Sequence, residues 1–248
     1  MNILRLISRL LDYPTEELMD NKLNIQLLIT GTDELSSEQK QQLRRFTDVR
    51  LNGDLLDWQA EYDGLFERGR SLSLLIYEHI HGESRDRGQA MVDLMAQYKA
   101  AGLAISVKEL PDYIPLFLEF IATQGTENAK GWLQDIVPVL ALLAVRLEKR
   151  DNNYQHLLYL LVSLAEADID LDSLREQVNA EKPDNTKKAL DKVWEEEAIT
   201  FGGDAINGGC PSTQNRPENA QRRDQDVPIQ FCDPQQPSER TNPLRSTS

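Results

Sequence analysis

Residues 126–150 read TENAKGWLQDIVPVLALLAVRLEKR, and the fold class turns on what this stretch can be. Its centre, residues 136–145, is the longest apolar run in the chain, ten residues with Pro138 inside it. A helix that crosses a bilayer needs about 20 such residues. The run therefore reads as a buried helix over residues 126–150, with Pro138 expected to start or kink its apolar part.

Helical spacing continues in both directions. Downstream, residues 152–167 and 184–199 read as helices, with a short one near 171–178 between them. Upstream, Pro111 is placed to be the first residue of a helix over 112–124. Residues 71–80 and 84–101 make two more, divided by His81-Gly82 and closed by Gly102. Asp54 caps a helix whose stripe is Leu55, Trp58, Tyr62, Leu65 and Phe66. Ser36 and Gln39 have capping-box spacing, and the helix they open runs to about Leu51 before Asn52-Gly53. A short helix over 23–29 stops near Gly31. The first helix carries Ile3, Leu4, Ile7, Leu10 and Leu11 on one face and ends at Tyr13-Pro14. No stretch alternates cleanly enough to be a strand, and no fixed period marks a solenoid. The expectation is an all-α, single-domain helical bundle of about ten helices over residues 1–201.

After Phe201 the composition changes. Residues 202–248 hold six of the eleven prolines and few large apolar side chains, a mixture that cannot offset its ordering entropy. They read as a disordered C-terminal tail. Both cysteines, Cys210 and Cys232, lie there without zinc-type spacing. The net charge is −14, and all but one unit of it belongs to residues 1–201. Such acidity argues against nucleic acid and against a hold on anionic lipid. Arg5 and Arg9 interrupt any apolar leader near the start, so the expected location is cytoplasmic, with no direct membrane insertion.

No catalytic constellation stands out. Residues 82–88, GESRDRG, lack the Lys-Ser/Thr of a phosphate loop and follow a helix rather than a strand. His79 and His81 are two apart, which does not place them on one helix face. A hydrogen-bonded His79 and a helix-terminal His81 explain them without a metal, so neither metal nor cofactor is expected. Arg68, Arg70, Arg85 and Arg87 form a basic cluster. They either pair with Glu67, Glu83 and Asp86 or form a guanidinium patch that orders two loops. In Glu109-Leu-Pro-Asp-Tyr-Ile-Pro-Leu116, Pro111 and Asp112 suit a helix start, and an acid there could also meet a basic segment of a partner. Trp194 with Glu195, Glu196 and Glu197 reads as a solvated helix face with the indole turned inward.

Three stretches carry a resemblance: residues 62–69, YDGLFERG; residues 71–91, SLSLLIYEHIHGESRDRGQAM; and residues 109–120, ELPDYIPLFLEF. The first two resemble the family of nitrate reductase molybdenum-cofactor assembly chaperones. The third is similar to the acid-Pro-Asp signature of the wider class of redox-enzyme maturation chaperones, except that Tyr113 stands where that class usually has His. The likeness spans most of residues 1–201. It implies a helical, non-enzymatic chaperone dedicated to respiratory nitrate reductase. Its implied partner is the apo form of the catalytic (alpha) subunit, including its N-terminal segment, a relic of a twin-arginine export signal. Molybdenum-cofactor biosynthesis proteins are further implied partners. The chaperone would keep the apoenzyme competent for molybdenum-cofactor and iron–sulfur insertion, delay membrane docking and leave the mature complex.

The expected mode is helix-in-groove capture. Tyr62, Phe66, Tyr77, Leu116 and Phe120 line the groove in this reading, although several of these aromatics would serve equally as core. Glu109 and Asp112 stand at the rim beside Pro111, Glu78 and His79 are close by, and Arg68, Arg85 and Arg87 hold the loops. Competing readings are a metal-dependent hydrolase using His79, His81 and His156, a molybdenum-cofactor carrier, and a structural adaptor.

Overall fold

The computed structural model describes residues 1–82, 84–106 and 109–182, all within one compact unit, Met1–Val193. A second unit, Trp194–Ser248, lies outside the described residues, as do the helix expected over 184–199, the Trp194 cluster and the tail. The described chain is all-α. Its helices are α1 (Asn2–Leu11), α2 (Glu16–Asp20), α3 (Lys22–Gly31), α4 (Ser37–Arg50), α5 (Leu55–Tyr62), α6 (Ile76–Ile80), α7 (Arg85–Ala100), α8 (Ile114–Ala122), α9 (Thr126–Lys149), α10 (Gln155–Ala165) and α11 (Leu171–Ala180). A π-helical segment, Asp63–Glu67, continues α5.

The centre of the molecule is α9, which packs on α8, α10 and α11. Leu133, Leu140, Leu143 and Leu147 of α9 are fully buried, each stabilising the fold by roughly 1.5–3 kcal/mol. The helix continues through Pro138, whose ring lies on the exposed side where the missing N–H leaves no buried partner. Helix α1 packs on α8 and buries Ile3, Leu4, Ile7, Leu10 and Leu11. A buried Ser8 hydroxyl donates to the Pro115 carbonyl at 2.7 Å and fixes that pairing.

Local signals held where they were strong. Ser36 and Gln39 form both bonds of the capping box, and the Asp54 carboxylate accepts from the N–H groups of Leu56 and Asp57. Two segments differ from expectation. Residues 71–75 are not helical: the Ser73 hydroxyl accepts from the Leu75 N–H, a local bond that competes with helix formation. The extended chain there forms a single antiparallel bridge, Leu75 with Tyr113. Pro111 does not begin a helix, because its carbonyl accepts from the buried Tyr98 hydroxyl at 2.7 Å. Helix α8 starts three residues later, with Pro115 in its first turn. The short α2 carried no signal strong enough to be read from the sequence.

Candidate functional site

The π-helical segment, the extended residues 73–75 and the start of α8 leave a groove between them. Its volume is about 560 Å3. Phe66, Leu74, Leu75, Leu110, Pro115 and Leu116 supply its apolar surface, and Asp12, Glu67, Glu109 and Glu119 its charge. Arg9 is its one cation among the described residues, 3.4 Å from Glu119, with both side chains well exposed. Among the described residues, four acids against one base on an apolar surface suit an amphipathic segment with basic side chains. π-Helical turns of this kind recur at functional sites; here the turn brings Phe66 and Glu67 to the groove.

Among the described residues, three bonds join two walls. One wall is residues 73–75, the other residues 109–116. Ile76 N–H donates to the Asp112 carbonyl at 2.9 Å, and Ile114 N–H donates to the Leu74 carbonyl at 2.8 Å. The third bond is from Tyr77 N–H to the Asp112 carboxylate at 3.1 Å. Tyrosines tie the base of the groove to α1. Tyr62 donates to the Leu11 carbonyl at 3.1 Å, and its hydroxyl lies 3.0 Å from that of Tyr113. Tyr113 donates to Asp12 at 3.0 Å. Burial pushes both phenols well above the ordinary tyrosine range, so they act only as neutral hydrogen-bonding groups.

The residues expected to bind a peptide separate into three groups. Phe66, Glu109 and Leu116 line the groove. Glu109 is exposed and accepts from Ser106 N–H at 2.9 Å. Tyr62 and Phe120 are core: Tyr62 is 1% exposed, and Phe120, at 2%, packs on Tyr98 and Trp132. Pro111, Tyr77, Glu78, His79, Arg68, Arg85 and Arg87 lie outside the lining. Tyr77 is half-buried with its ring against His81. Arg68 and Arg85 are exposed, and Arg87 pairs with Glu78 at 3.2 Å rather than with an acid adjacent in sequence. Glu83 lies outside the described residues.

Asp112 requires a correction. Expected at the rim, it is 0% exposed, because its main chain is the bridge between the walls and its carboxylate turns inward to Tyr77. Burial pushes its pKa up from the ordinary carboxylate range, while the Tyr77 N–H and the Arg87 charge hold it down. The acids that do face the groove from α1, the π-helical segment and α8 were missed. They lie up to about a hundred residues apart in sequence, and no local pattern marks side chains that meet only through the fold.

His79 Nε2 lies 2.8 Å from the Ser73 carbonyl oxygen, so that nitrogen carries the proton and donates. Among the described residues no three His, Cys, Asp or Glu side chains are grouped to hold a metal ion. Among them also, no helix is long and apolar enough to cross a membrane.

Fold and groove define an all-helical protein with an acidic, apolar-lined cleft. The profile described as "Nitrate reductase delta subunit" matches residues 32–159. The chain is 42% identical over 235 residues to the probable nitrate reductase molybdenum cofactor assembly chaperone NarW of Escherichia coli (strain K12), across 94% of this chain and 97% of that one. It is 46% identical over 205 residues to the nitrate reductase molybdenum cofactor assembly chaperone NarJ of the same strain, covering 83% and 86% of the two chains. A probable NarJ of Bacillus subtilis (strain 168) is 31% identical over 161 residues, 64% of this chain and 86% of that one. The chain belongs to the nitrate reductase delta subunit family, a family of chaperones.

Proposed function

We propose that this protein is the dedicated chaperone of a respiratory nitrate reductase. It binds the apo form of the catalytic (alpha) subunit, including its N-terminal segment, and keeps that subunit competent for molybdenum-cofactor and iron–sulfur insertion. It delays docking at the membrane, is not part of the mature enzyme, and acts in the cytoplasm without catalysing a reaction. The relatives named above support the choice of client. The observation that carries the binding mode is the groove, whose apolar surface is ringed by Asp12, Glu67, Glu109 and Glu119.

Apolar side chains of a helical client segment would bury against Phe66, Leu75, Leu110 and Leu116, and this burial supplies most of the affinity. The acid ring supplies attraction that acts at a distance and weakens with salt. Titration calorimetry of a synthetic peptide from the N-terminus of the nitrate reductase catalytic subunit tests this reading. Binding is expected, with an association rate that falls as salt is added. A peptide that does not bind would remove the proposal.

A further inference from the structure

Among the described residues the groove's walls meet at a single bridged pair, and Asp112 accepts two of the three hydrogen bonds that join residues 73–77 to residues 109–116. One carboxylate oxygen of this fully buried residue, Oδ1, has no hydrogen-bond partner. Buried and unpaired in the same way is the Nε–H of Arg87. The two residues are linked through α6: the Tyr77 N–H donates to the Asp112 carboxylate at 3.1 Å, and the next residue, Glu78, accepts from Arg87 Nη1 at 3.2 Å. An unsatisfied donor and an unsatisfied acceptor thus stand at the two ends of this linkage, and leaving either buried without a partner is costly. Arg87 also sits in the first turn of α7, where the helix dipole disfavours a cation. Helix stability does not account for it; Glu78 and Asp112 do.

We infer that Asp112 and Arg87 act together as the spacer that sets the distance between the groove's two walls, which makes them positioning residues for the client segment rather than contacts to it. This rests on the reading of the groove as the client site. Arg87 anchors α7 and α6 on one side, Asp112 holds residues 109–116 on the other, and the Tyr77 N–H links the two. A change in either side chain shifts Leu74 and Leu75 relative to Leu110 and Leu116. Neither side chain needs to touch the client for this to happen.

The test uses the full chain and the synthetic N-terminal peptide of the catalytic subunit. Asp112→Asn keeps the size and an acceptor for Tyr77 but turns a donor toward Arg87. Arg87→Gln removes the guanidinium from a side chain 22% exposed, where a polar replacement is tolerated, so it decides the matter if Asp112→Asn fails to fold. Each single variant is expected to lose roughly tenfold in affinity, the size of a coupling between residues of one hydrogen-bond network. The double variant should lose no more than either single one. The salt dependence of the association rate should stay that of the parent, and the amide signals of Leu74, Leu75 and Leu110 should shift in both variants before peptide is added. Additive losses, or a flattened salt dependence in Asp112→Asn, would show that Asp112 meets the client directly and overturn the inference. Unchanged affinity in Arg87→Gln overturns it as well. A parent chain that binds no peptide defeats the functional reading instead, and the amide shifts would still report the spacer.

Discussion

Arg50 and Arg87 are both drawn into the fold, and they are held in different ways. Arg50 is 9% exposed at its side chain. Two of its nitrogens meet the Glu61 carboxylate, one of them at 2.7 Å, and Asn152 supports the same carboxylate at 2.7 Å. Its guanidinium lies over the rings of Phe46 and Tyr154. Arg87 is more exposed and makes one contact, at 3.2 Å, to Glu78. Both leave Nε unpaired, but among the described residues the one buried side-chain acceptor left unpaired, Asp112 Oδ1, belongs to the residue linked to Arg87 through Tyr77 and Glu78. The Arg50 corner closes on itself and supports the bundle. The Arg87 corner keeps bonding capacity in hand beside a groove, which fits a part whose geometry matters for binding rather than for folding.

The largest effect should follow from breaking the closed corner. Arg50→Ala removes a two-pronged pair and its aromatic packing, leaving Glu61 with Asn152 alone. Disrupting such a pair costs about 3–5 kcal/mol when fully buried, and the partial exposure of Glu61 places this case at about 3 kcal/mol. Arg87→Gln should cost about 1 kcal/mol of folding stability or less, since its pair with Glu78 rests on one contact that water still reaches. Urea denaturation of the two variants measures the difference. Equal losses would erase the contrast between the corners.

A smaller effect is expected at the groove itself. Glu109 is exposed on the lining, and a rim charge acts on association rate more than on residence time. Glu109→Ala should weaken the client peptide about threefold, chiefly through slower association at low salt, with an unchanged melting curve. Asp112→Ala should behave otherwise and lower the melt, because the residue is buried. If the two variants behave alike in calorimetry and melting, the division between rim and spacer is wrong.

That division shows what was legible in the sequence. Helices announced by periodic apolar stripes and by caps were readable: α1 from Ile3 to Leu11, α4 from its capping box, α9 from its apolar centre. The groove was half readable. The segment that supplies Glu109, Leu110 and Leu116 drew attention through its two prolines and its acids, yet the same pattern suggested a helix start at Pro111. What decided against that start was the Tyr98 hydroxyl on the Pro111 carbonyl and the bridge to Leu75, both made across the fold. Asp12 and Arg9 reach the groove only because α1 packs on α8. Burial likewise separated Phe66, at the groove, from Tyr62 and Phe120 in the core. All three are aromatic residues on helical stripes, and sequence spacing alone does not distinguish them.

The smallest effect concerns pH and the wall that carries Ser73. His79 donates through Nε2 to the Ser73 carbonyl at 2.8 Å. Burial holds its basicity below the ordinary value of 6.5; the Ser73 bond opposes this, and the charge of Arg146 adds to it. The unfolded chain takes up a proton on this histidine near 6.5, while the folded chain does so only at lower pH. As pH falls through 6.5 the unfolded state therefore binds more protons, and stability declines; above 6.5 the full contribution is present. Glu61 and Glu148 have pKa values lowered from the ordinary 4.5 by their arginine and tyrosine partners, so they lose their contributions only at more acid pH. The buried Asp112 acts with the opposite sign, since a raised folded value favours the protonated form. His79→Gln keeps a donor for the Ser73 carbonyl and removes the titration. Urea midpoints compared at about pH 7.5 and about pH 5.5 should fall less in the variant than in the parent. Because Ser73 lines the groove, the peptide affinity of the parent should fall over the same interval by more than that of His79→Gln. Parallel curves for parent and variant would mean that the wall is indifferent to this histidine and that the groove side is as closed as the Arg50 corner.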